Sequence, residues 1–445
     1  MRTPIVDFVR AYAEKNDLRL HMPGHKGKDM LGFEQLDITE IDGADSLYEA
    51  SGIIKESENN ASALFGCETL YSTEGSSLCI RAMIYLITLY ASEKGVPAHI
   101  LAGRNVHKTF VSACAMLDAS VTWLYGNDSS YLSCSIAPAE LENAILSAPV
   151  KPVAVYITSP DYLGNIADIK AISEVCHKHG VLLCVDNAHG AYLRFLPTSL
   201  HPIDLGADIC CDSAHKTLPV LTGGAYLHLA RECPKVFFER AKDALAAFGS
   251  TSPSYIILQS LDATNAYLSS GYSERLHEFS LLAGECKKEL AGYGYTFVGN
   301  EPLKLTVKTK PYGYSGYDFA NILKRNGVVC EFCDLDHTVL MLTPENGEQG
   351  LDRLARVMKN IPMIEPVTED MPEITRPKVA TRIREAYLSP SETLSVSECA
   401  GRVLAQATVS CPPAVPIVVS GEIIDEKSIK ALEYYGIKSC NVVKK

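Results

Sequence analysis

A lysine with unusual neighbours offers the clearest chemical signal in this sequence. Lys216 lies in the segment Asp212-Ser-Ala-His-Lys-Thr217, which follows a predicted strand, Ile209–Cys211, and precedes a turn that contains Gly223 and Gly224. A lysine at a strand end, among small hydroxyl residues, can form a Schiff base with a carbonyl cofactor. Taken alone, a lysine of this kind is more often an exposed loop residue, so its assignment depends on the residues that accompany it.

An aspartate follows a second apolar segment in the same way. Val181–Val185 is continuously apolar and runs directly into Asp186-Asn-Ala-His189-Gly190. Open α/β sheets bind ligands at the carboxyl ends of their parallel strands. A carboxylate at that place can keep a pyridinium nitrogen protonated, which is the electronic requirement of pyridoxal phosphate. The alternative is an aspartate that caps a helix or forms a salt bridge.

A small, hydroxyl-rich segment begins a predicted helix. In Thr73-Glu-Gly-Ser-Ser77, Gly75 permits close backbone approach, and Ser76 adds a hydroxyl beside the exposed N–H groups of the helix start. Such a helix start binds a phosphate dianion well. A plain serine-capped helix is the alternative.

A histidine is placed after a further predicted strand. His107, in Arg104-Asn-Val-His-Lys108, follows His99–Ala102 and could stack on a planar ring. A surface or core histidine would show the same local sequence.

The elements that must position these residues alternate between strands and helices. Continuous apolar strands between helices indicate a parallel sheet covered on both faces, so the sequence predicts an α/β domain. The helices are predicted at Ser77–Lys94 and Ile166–His179. The further strands are predicted at Val121–Tyr125, Val153–Ile157 and Ala225–Leu229.

The second half of the chain has a different character. A helix, Glu274–Leu290, precedes predicted strands at Lys304–Val307 and Val328–Phe332 of a smaller α+β domain. The proline-rich segment 361–377 is typical of a linker. Beyond it, we expect a Cys411-Pro-Pro413 turn and a strand around Ile417–Val419. The predicted organisation is an N-terminal arm (1–30), a large cofactor-binding domain (31–250), a small α+β domain (251–365) and a C-terminal unit (378–445).

Composition narrows the choice of partners and compartment. The 445 residues carry a net charge of −12, which argues against nucleic acid and anionic membranes as partners. The longest apolar region, 78–91, contains Arg81 and is too short to span a bilayer. The N-terminus lacks a signal-peptide pattern, and the fifteen cysteines show no disulfide framework, so we expect a cytoplasmic protein with reduced thiols. Cys330 and Cys333 form a lone CxxC, which we interpret as structural rather than metal-binding or redox-active, and no metal site is predicted.

The order of these four elements resembles that of fold-type I pyridoxal-phosphate (PLP) enzymes and, more narrowly, the Orn/Lys/Arg decarboxylase family. The resemblance spans nearly the whole chain. Its longer motifs are His21-Met-Pro-Gly-His-Lys26, Asp37-Ile-Thr-Glu-Ile41, Arg104-Asn-Val-His-Lys108, Ser159-Pro-Asp-Tyr-Leu-Gly164, Asp186-Asn-Ala-His-Gly190, Ser213-Ala-His-Lys-Thr217, Thr251-Ser-Pro-Ser-Tyr255, Arg384-Glu-Ala386 and Pro412-Pro-Ala-Val-Pro416. It implies a fold-type I, transferase-like large domain with a mainly parallel sheet, a small α+β domain and a short C-terminal unit.

The resemblance also implies roles for single residues. Lys216 would attach the cofactor covalently, and Asp186 would pair with its pyridinium nitrogen. His107 would stack on the ring, and His189 would hydrogen-bond near the cofactor's 3′-oxygen or the aspartate. Gly75, Ser76, Ser213 and His215 would surround the phosphate. Thr251 and Ser252 match a segment that reaches the phosphate of a partner subunit, which implies a homodimer.

Three departures from the family pattern concern the phosphate loop, the aspartate motif and the C-terminal unit. The phosphate loop carries Glu74, whose carboxylate we expect to point away, and the family's Asp-Glu-Ala-His is Asp186-Asn-Ala-His189 here. The C-terminal motifs become Cys411-Pro-Pro-Ala-Val-Pro416 and Ser420-Gly-Glu422. These last changes fall where the substrate side chain is expected to be recognised, so they leave the substrate open.

The implied activity is decarboxylation of a basic L-amino acid. Arginine to agmatine is the first choice, because the compact chain resembles the bacterial branch that contains arginine decarboxylases. Lysine to cadaverine and ornithine to putrescine follow. Glu331 and Glu422 are candidates to bind the distal cation, although each is also compatible with a surface or capping acid, and Lys216 or His215 would return the proton to Cα. The alternatives are other PLP chemistry (an aminotransferase, lyase or aldolase) and a non-catalytic PLP-binding protein.

Overall fold

A computed structural model describes residues 1–445 except residues 129, 408, 410 and 411. The described chain forms two compact units. The first comprises Met1–Lys94 and Leu182–Leu276, and the second comprises Gly95–Val181 and His277–Lys445. The domain borders expected from the sequence remain predictions.

The strands are short, and most of those in the first half of the chain are buried on both faces. In chain order they are β1 (Glu68–Ser72), β2 (His99–Gly103), β3 (Ser120–Leu124), β4 (Ala154–Thr158), β5 (Leu182–Asp186), β6 (Ile209–Asp212), β7 (Ala225–Leu229), β8 (Thr296–Val298), β9 (Lys304–Lys308), β10 (Phe332–Cys333), β11 (His337–Met341), β12 (Ser391–Ser395), β13 (Leu404–Gln406) and β14 (Ser439–Val443).

The helices alternate with the strands through the first half of the chain. They are α1 (Pro4–Glu14), α2 (Ile53–Phe65), α3 (Gly75–Glu93), α4 (Lys108–Leu117), α5 (Pro138–Ser147), α6 (Ile169–Lys178), α7 (Ala214–Thr217), α8 (Lys235–Ala246), α9 (Tyr255–Leu268), α10 (Tyr272–Gly292), α11 (Gly316–Arg325), α12 (Gly347–Lys359), α13 (Ile383–Leu388) and α14 (Glu426–Tyr434).

The strands of the first unit follow the order β1-β7-β6-β5. β5 and β6 pair in parallel, with Asp186 opposite Cys211, whereas β7 pairs antiparallel with both β6 and β1. Every residue of β5, β6 and β7 is buried, which accounts for their continuous apolar character. The parallel pairing brings the end of β5 beside the end of β6, and these are the two places where Asp186 and the segment of Lys216 begin.

The second unit contains parallel and antiparallel strands in separate arrangements. β2 pairs in parallel with both β3 and β4. A four-stranded antiparallel sheet has the order β10-β11-β9-β8, and a three-stranded one has the order β12-β14-β13. The α/β class with a mainly parallel sheet, predicted from the sequence, is therefore confirmed.

Two strand predictions in the second half are wrong. The expected strand Val328–Phe332 is mostly loop, and only Phe332 and Cys333 pair, with Val339 and Thr338. The expected strand at Ile417–Val419 is a bend whose residues are buried without forming a ladder. In both cases a short apolar run is buried by packing rather than by strand pairing, and sequence periodicity cannot separate the two. Of the expected Cys411-Pro-Pro413 turn, residue 411 lies outside the described residues, and the two prolines form a turn.

One described helix, α3, is long and apolar enough by composition to cross a membrane, with 56% of its most apolar window buried within the protein. A buried core helix meets the same criterion. Leu78, Met83 and Leu86 of α3 are each fully buried, which is the packing of a core helix.

Candidate active site

Lys216 and His189 meet in the first unit. Lys216 lies in the single-turn helix α7 directly after β6, and its backbone N–H donates to the Ser213 carbonyl. His189 follows β5 in a buried loop. Lys216 Nζ is 3.0 Å from His189 Nε2, so the amine expected to attach the cofactor has a polar neighbour contributed by the loop that follows β5.

Asp186 is the last residue of β5 and is buried. Its Oδ1 accepts the N–H of Ala188 at 3.2 Å, and the Cys211 thiol lies 3.7 Å from the same oxygen. The structure therefore places a carboxylate and the lysine segment at the ends of adjacent parallel strands, as the sequence predicts.

The expected phosphate side is formed by the start of α3 and by Ser213. The Ser213 hydroxyl donates to Ser76 Oγ at 2.7 Å, which joins the lysine segment to the helix start. Gly75 has a φ of 71° and donates its N–H to the Gly223 carbonyl, and a Cβ built at Gly75 would meet no atom within 4 Å. A helix N-terminus with two hydroxyls and open space beside it suits a phosphate.

The carboxylate of Glu74 is directed to a different group. Glu74 is exposed, and its Oε1 accepts the N–H of Ser250 at 2.6 Å. The neighbouring Thr251 and Ser252 are exposed as well. Their expected contact with a partner subunit remains a prediction.

His215 is half-buried and held by its own loop. Its Nδ1 donates to the Gly224 carbonyl at 3.0 Å, and its backbone N–H donates to the same oxygen at 3.2 Å. Because a carbonyl oxygen only accepts, the ring carries a proton on Nδ1, and Nε2 is the nitrogen whose protonation can change. This geometry fixes the ring orientation of a residue proposed to bind phosphate or to return a proton.

A buried hydrogen-bond network behind these residues has no counterpart in the sequence analysis. Asp212 Oδ2 accepts from His201 Nε2 and His228 Nε2, both at 3.1 Å, and Oδ1 accepts from Asn187 Nδ2 at 2.6 Å. The side chains of Asp212 and both histidines are fully buried. His228 Nδ1 in turn lies 3.0 Å from the Thr69 hydroxyl.

The electrostatics of this network favour the ionised form of Asp212. Burial alone would raise the pKa of Asp212, but its contacts with His201 and His228 outweigh burial and hold that pKa below its usual range. Burial lowers the pKa of His228 despite the neighbouring carboxylate. Asp212 therefore carries a negative charge that three N–H groups stabilise directly beside the lysine segment.

The sequence offered only a partial signal for this network. Asp212 and Asn187 both lie inside quoted motifs, next to Ser213 and Asp186, but nothing local indicated that they bond to each other. His201 and His228 are too far apart in the chain for spacing to connect them.

Three predicted site residues belong to the second unit. His107 is half-buried, and its Nδ1 accepts the N–H of Thr109 at 3.2 Å, which caps α4 and leaves the ring proton on Nε2. Glu331 is exposed and accepts the Tyr162 hydroxyl at 3.0 Å. The role of each toward a cofactor or substrate remains a prediction.

Glu422 has an internal partner. It is buried, and its Oε2 accepts from Arg104 Nη2 at 3.0 Å and from the N–H of Val419 at 2.8 Å. Arg104 also donates to the carbonyls of Pro416 and Ile417, both at 2.8 Å. Burial raises the pKa of Glu422, and Arg104 opposes that rise. The predicted role of Glu422 in substrate binding would require the carboxylate to serve this arginine and the substrate together.

Two described clusters each bring three possible metal ligands within 4.8 Å of one another, and one carboxylate oxygen or more in each cluster already accepts a hydrogen bond or pairs with a lysine. They are His201, Cys210 and Asp212, and Asp334, Asp336 and His337. Asp212 accepts three N–H groups, as above. Asp334 Oδ1 accepts two backbone N–H groups, and Asp336 Oδ1 pairs with Lys310 at 2.8 Å. We assign no metal to either cluster.

Fold and site together define the class of protein. The strand-end lysine and aspartate, the open helix start and the mainly parallel sheet fit PLP: Lys216 would attach it, Asp186 would meet its ring nitrogen, and Gly75, Ser76 and Ser213 would receive its phosphate. The structure of lysine decarboxylase A from Pseudomonas aeruginosa superposes on this chain with a TM-score of 0.82. The match covers 99% of this chain and 80% of the decarboxylase, at 16% sequence identity. The chain thus has the fold of the fold-type I, PLP-dependent enzymes.

Sequence comparison identifies the family. The profile of the Orn/Lys/Arg decarboxylase major domain matches residues 3–293, and that of the C-terminal domain matches residues 366–440. The chain belongs to the Orn/Lys/Arg decarboxylase family and is a PLP-dependent amino-acid decarboxylase. An uncharacterized Bacillus subtilis protein, YaaO, is 30% identical over 97% of this chain and 94% of its own length. The arginine decarboxylase of Bacillus subtilis is 29% identical over 96% of this chain and 92% of its own.

Proposed function

We propose that this enzyme decarboxylates L-arginine to agmatine, a polyamine precursor, with L-lysine and then L-ornithine as the next candidates. The observation that carries the proposal is the pairing of Lys216 with His189 beside Asp186, at the ends of β5 and β6. The full-length similarity to a Bacillus arginine decarboxylase supports arginine as the first choice. The acidic chain, with a net charge of −12, is compatible with a cationic substrate.

The cofactor supplies the electron sink that accepts the bonding pair when CO₂ leaves Cα. The residues of this chain would orient the cofactor and the substrate and would exchange protons with them. Asp186 would place a negative charge at the ring nitrogen, and Ser76 and Ser213, which hydrogen-bond to each other, would hold the phosphate end. His189 lies 3.0 Å from the Lys216 amine. Either Lys216 Nζ or His215 Nε2 would return a proton to Cα, and His107 would stack on the ring.

The proposal includes a homodimer in which Thr251 and Ser252 reach the partner's phosphate, and a cytoplasmic location. The exposed hydroxyls of Thr251 and Ser252 support the homodimer. The cysteines support the cytoplasmic location, because none of the fourteen described cysteines is in a disulfide.

Product analysis tests the proposal directly. The purified protein, loaded with PLP, is offered L-arginine, L-lysine and L-ornithine separately, and both CO₂ and the amine are quantified. Equal amounts of CO₂ and agmatine are expected from arginine, with a higher kcat/KM than for the other two substrates. The Lys216→Ala variant is expected to release no CO₂, while Lys94→Ala, an exposed lysine at the end of α3, should match the wild type.

Each other outcome assigns a different function. Cadaverine or putrescine as the favoured product would replace arginine by lysine or ornithine. A keto acid or a cleaved side chain without CO₂ would indicate transamination, elimination or aldol chemistry. Cofactor bound through Lys216 with no product from any of the three would contradict the proposed basic amino-acid substrates.

A further inference from the structure

Two cysteines differ from all others that the structure describes. Twelve of the fourteen described cysteines are buried, and only Cys330 and Cys333 are partly accessible. They form the CxxC of the sequence, which by itself favours a structural pair. Accessibility of both thiols is the property that the sequence does not reveal, and it makes chemistry with a solute possible.

The two thiols lie at the start of an edge strand, with Cys333 in the strand and Cys330 in the loop before it. β10 is the outermost strand of its sheet, with Cys333 opposite Thr338. The loop before it is tied down by the N–H of Glu331, which donates to the Val339 carbonyl at 3.0 Å. The Cys333 thiol is close enough to donate a hydrogen bond to Cys330.

A second thiol pair provides an internal comparison. Cys399 and Cys440 also hydrogen-bond to each other, but both are buried, and burial raises the pKa of each. In the accessible pair, the hydrogen bond from Cys333 is the largest influence and lowers the pKa of Cys330 to about 7. The same kind of contact is therefore accompanied by raised pKa values in the core pair and by a lowered pKa at the accessible Cys330.

We propose that Cys330 and Cys333 form a redox-active dithiol that exchanges with low-molecular-weight disulfides such as glutathione disulfide. The Cys330 thiolate attacks one sulfur of glutathione disulfide, which forms a mixed disulfide and releases a glutathione thiolate. Cys333, after losing its proton to solvent, attacks Cys330 Sγ, which forms the internal disulfide and releases a second glutathione thiolate. The protein loses two electrons and two protons, and glutathione disulfide is reduced to two glutathione molecules.

Closure of the disulfide affects the two residues between the cysteines, Glu331 and Phe332. An S–S bond of about 2.05 Å is far shorter than a thiol–thiol hydrogen bond, so the backbone that carries Glu331 must adjust. Glu331 accepts the Tyr162 hydroxyl at 3.0 Å, and we expect oxidation to weaken that contact. The redox chemistry itself does not depend on the proposed activity, because it is read from masses and thiol reactivity.

The experiment treats the PLP-loaded protein with glutathione disulfide, blocks remaining thiols by alkylation and maps every cysteine by peptide mass spectrometry. We expect a Cys330–Cys333 disulfide that dithiothreitol reverses, with Cys399 and Cys440 alkylated only after unfolding. Cys333→Ser should accumulate glutathione on Cys330, because the resolving thiol is missing. Cys330→Ser should slow exchange at residue 333 at least tenfold, whereas Cys440→Ser should leave exchange at the accessible pair unchanged.

The pH dependence of alkylation gives a second, independent readout. The alkylation rate of Cys330 should reach half its maximum near pH 7 in the wild type and near pH 8 to 9 in Cys333→Ala, where no side chain donates the hydrogen bond. Two results would overturn the proposal: no linkage between residues 330 and 333 at any ratio of oxidised to reduced glutathione, or oxidation of the buried pair at the same rate.

Discussion

At the scale of single residues, the loop after β5 depends on a glycine. A Cβ at Gly190 would lie 2.0 Å from Asn187 Oδ1 and 2.8 Å from Leu193 Cδ1. Gly190 also donates its N–H to the Asn187 carbonyl at 2.8 Å, which closes the turn that contains His189. The side chains of Asn187 and His189 can hold their positions only because residue 190 has no side chain.

Gly190→Ala should therefore weaken cofactor binding. The added methyl group displaces Asn187 from Asp212 and shifts His189 away from Lys216, and loss of one buried hydrogen bond of this kind costs about 1–3 kcal/mol. We expect PLP affinity, measured by absorbance titration, to fall roughly tenfold to a hundredfold.

Gly284→Ala is the matched control. A Cβ at Gly284 meets no atom within 4 Å, and the residue lies inside α10, where alanine is the better helix former by about 1 kcal/mol. Its PLP affinity should equal that of the wild type and its stability should not fall. Wild-type PLP affinity in Gly190→Ala would show that the turn does not position the lysine's neighbour.

At the scale of elements, the bond between Asn187 and Asp212 joins the loop after β5 to the end of β6. In the sequence, Asn187 stands where the family's Asp-Glu-Ala-His pattern has a glutamate. The structure gives the departure a reason, because an amide at this position donates to the buried carboxylate of Asp212 at 2.6 Å. A glutamate there would bring a second carboxylate beside that of Asp212, and the amide hydrogen bond would be lost.

Exchanging the two side chains tests this bond. Asn187→Asp brings a second carboxylate against that of Asp212. Asp212→Asn removes the charged group that accepts hydrogen bonds from His201 and His228. Each single variant should therefore lose about 3 kcal/mol of unfolding free energy. The double variant restores one amide and one carboxylate and should recover at least half of the combined loss, measured by urea unfolding in a double-mutant cycle. Strictly additive losses would mean that the two residues act independently.

A second buried carboxylate, that of Asp262, connects three helices of the first unit, α1, α2 and α9. Asp262 of α9 accepts the N–H groups of Ile5 and Val6 at 2.9 and 3.0 Å and the Ser57 hydroxyl at 2.6 Å. Burial is the largest influence and raises the pKa of Asp262 to about 6, against an ordinary value of 3.8. The folded protein therefore binds this proton more tightly than the unfolded chain does.

This shift predicts a pH-dependent stability difference. A raised carboxyl pKa contributes stability that is complete below pH 3.8 and is lost as the pH rises through about 6. Relative to the non-titrating Asp262→Asn variant, the wild type should lose on the order of 3 kcal/mol between pH 4 and pH 7. Urea unfolding at a series of pH values measures the difference in unfolding free energy between the wild type and the variant. A difference that stays constant with pH, or that shifts in favour of the wild type as the pH rises, contradicts the assignment.

At the scale of the whole molecule, the sequence was most informative where elements are regular and least informative where contacts are remote. Strand β7 matches its prediction at both ends, because a fully buried parallel or mixed sheet produces continuous apolar runs. Lys216 and Asp186 could be placed because each follows such a run. The Asp212 network could not, since His201 and His228 reach it only through the fold, and Arg104 meets Glu422 across 318 residues of sequence.

The proposed dimer is testable through complementation, because it divides the phosphate site between two subunits. If Thr251 and Ser252 serve the partner's phosphate, an active centre needs Lys216 from one chain and residue 251 from the other. Thr251→Glu would place a carboxylate beside that phosphate and repel it. Homodimers of Lys216→Ala and of Thr251→Glu should each be inactive or severely impaired, although every chain is folded.

Hybrids of the two variants separate the shared site from a site within one chain. In a hybrid, one active centre combines the intact Lys216 with the partner's intact Thr251, and the other centre carries both defects. Random pairing makes about half of the dimers hybrids, each with one good centre of two, so coexpression should restore roughly one quarter of wild-type activity. If both residues served the same centre within a chain, every centre would carry a defect and mixing would restore nothing. Purification through two different tags isolates the hybrid, whose activity should rise to about one half, and this doubling is the result that a monomeric site cannot produce.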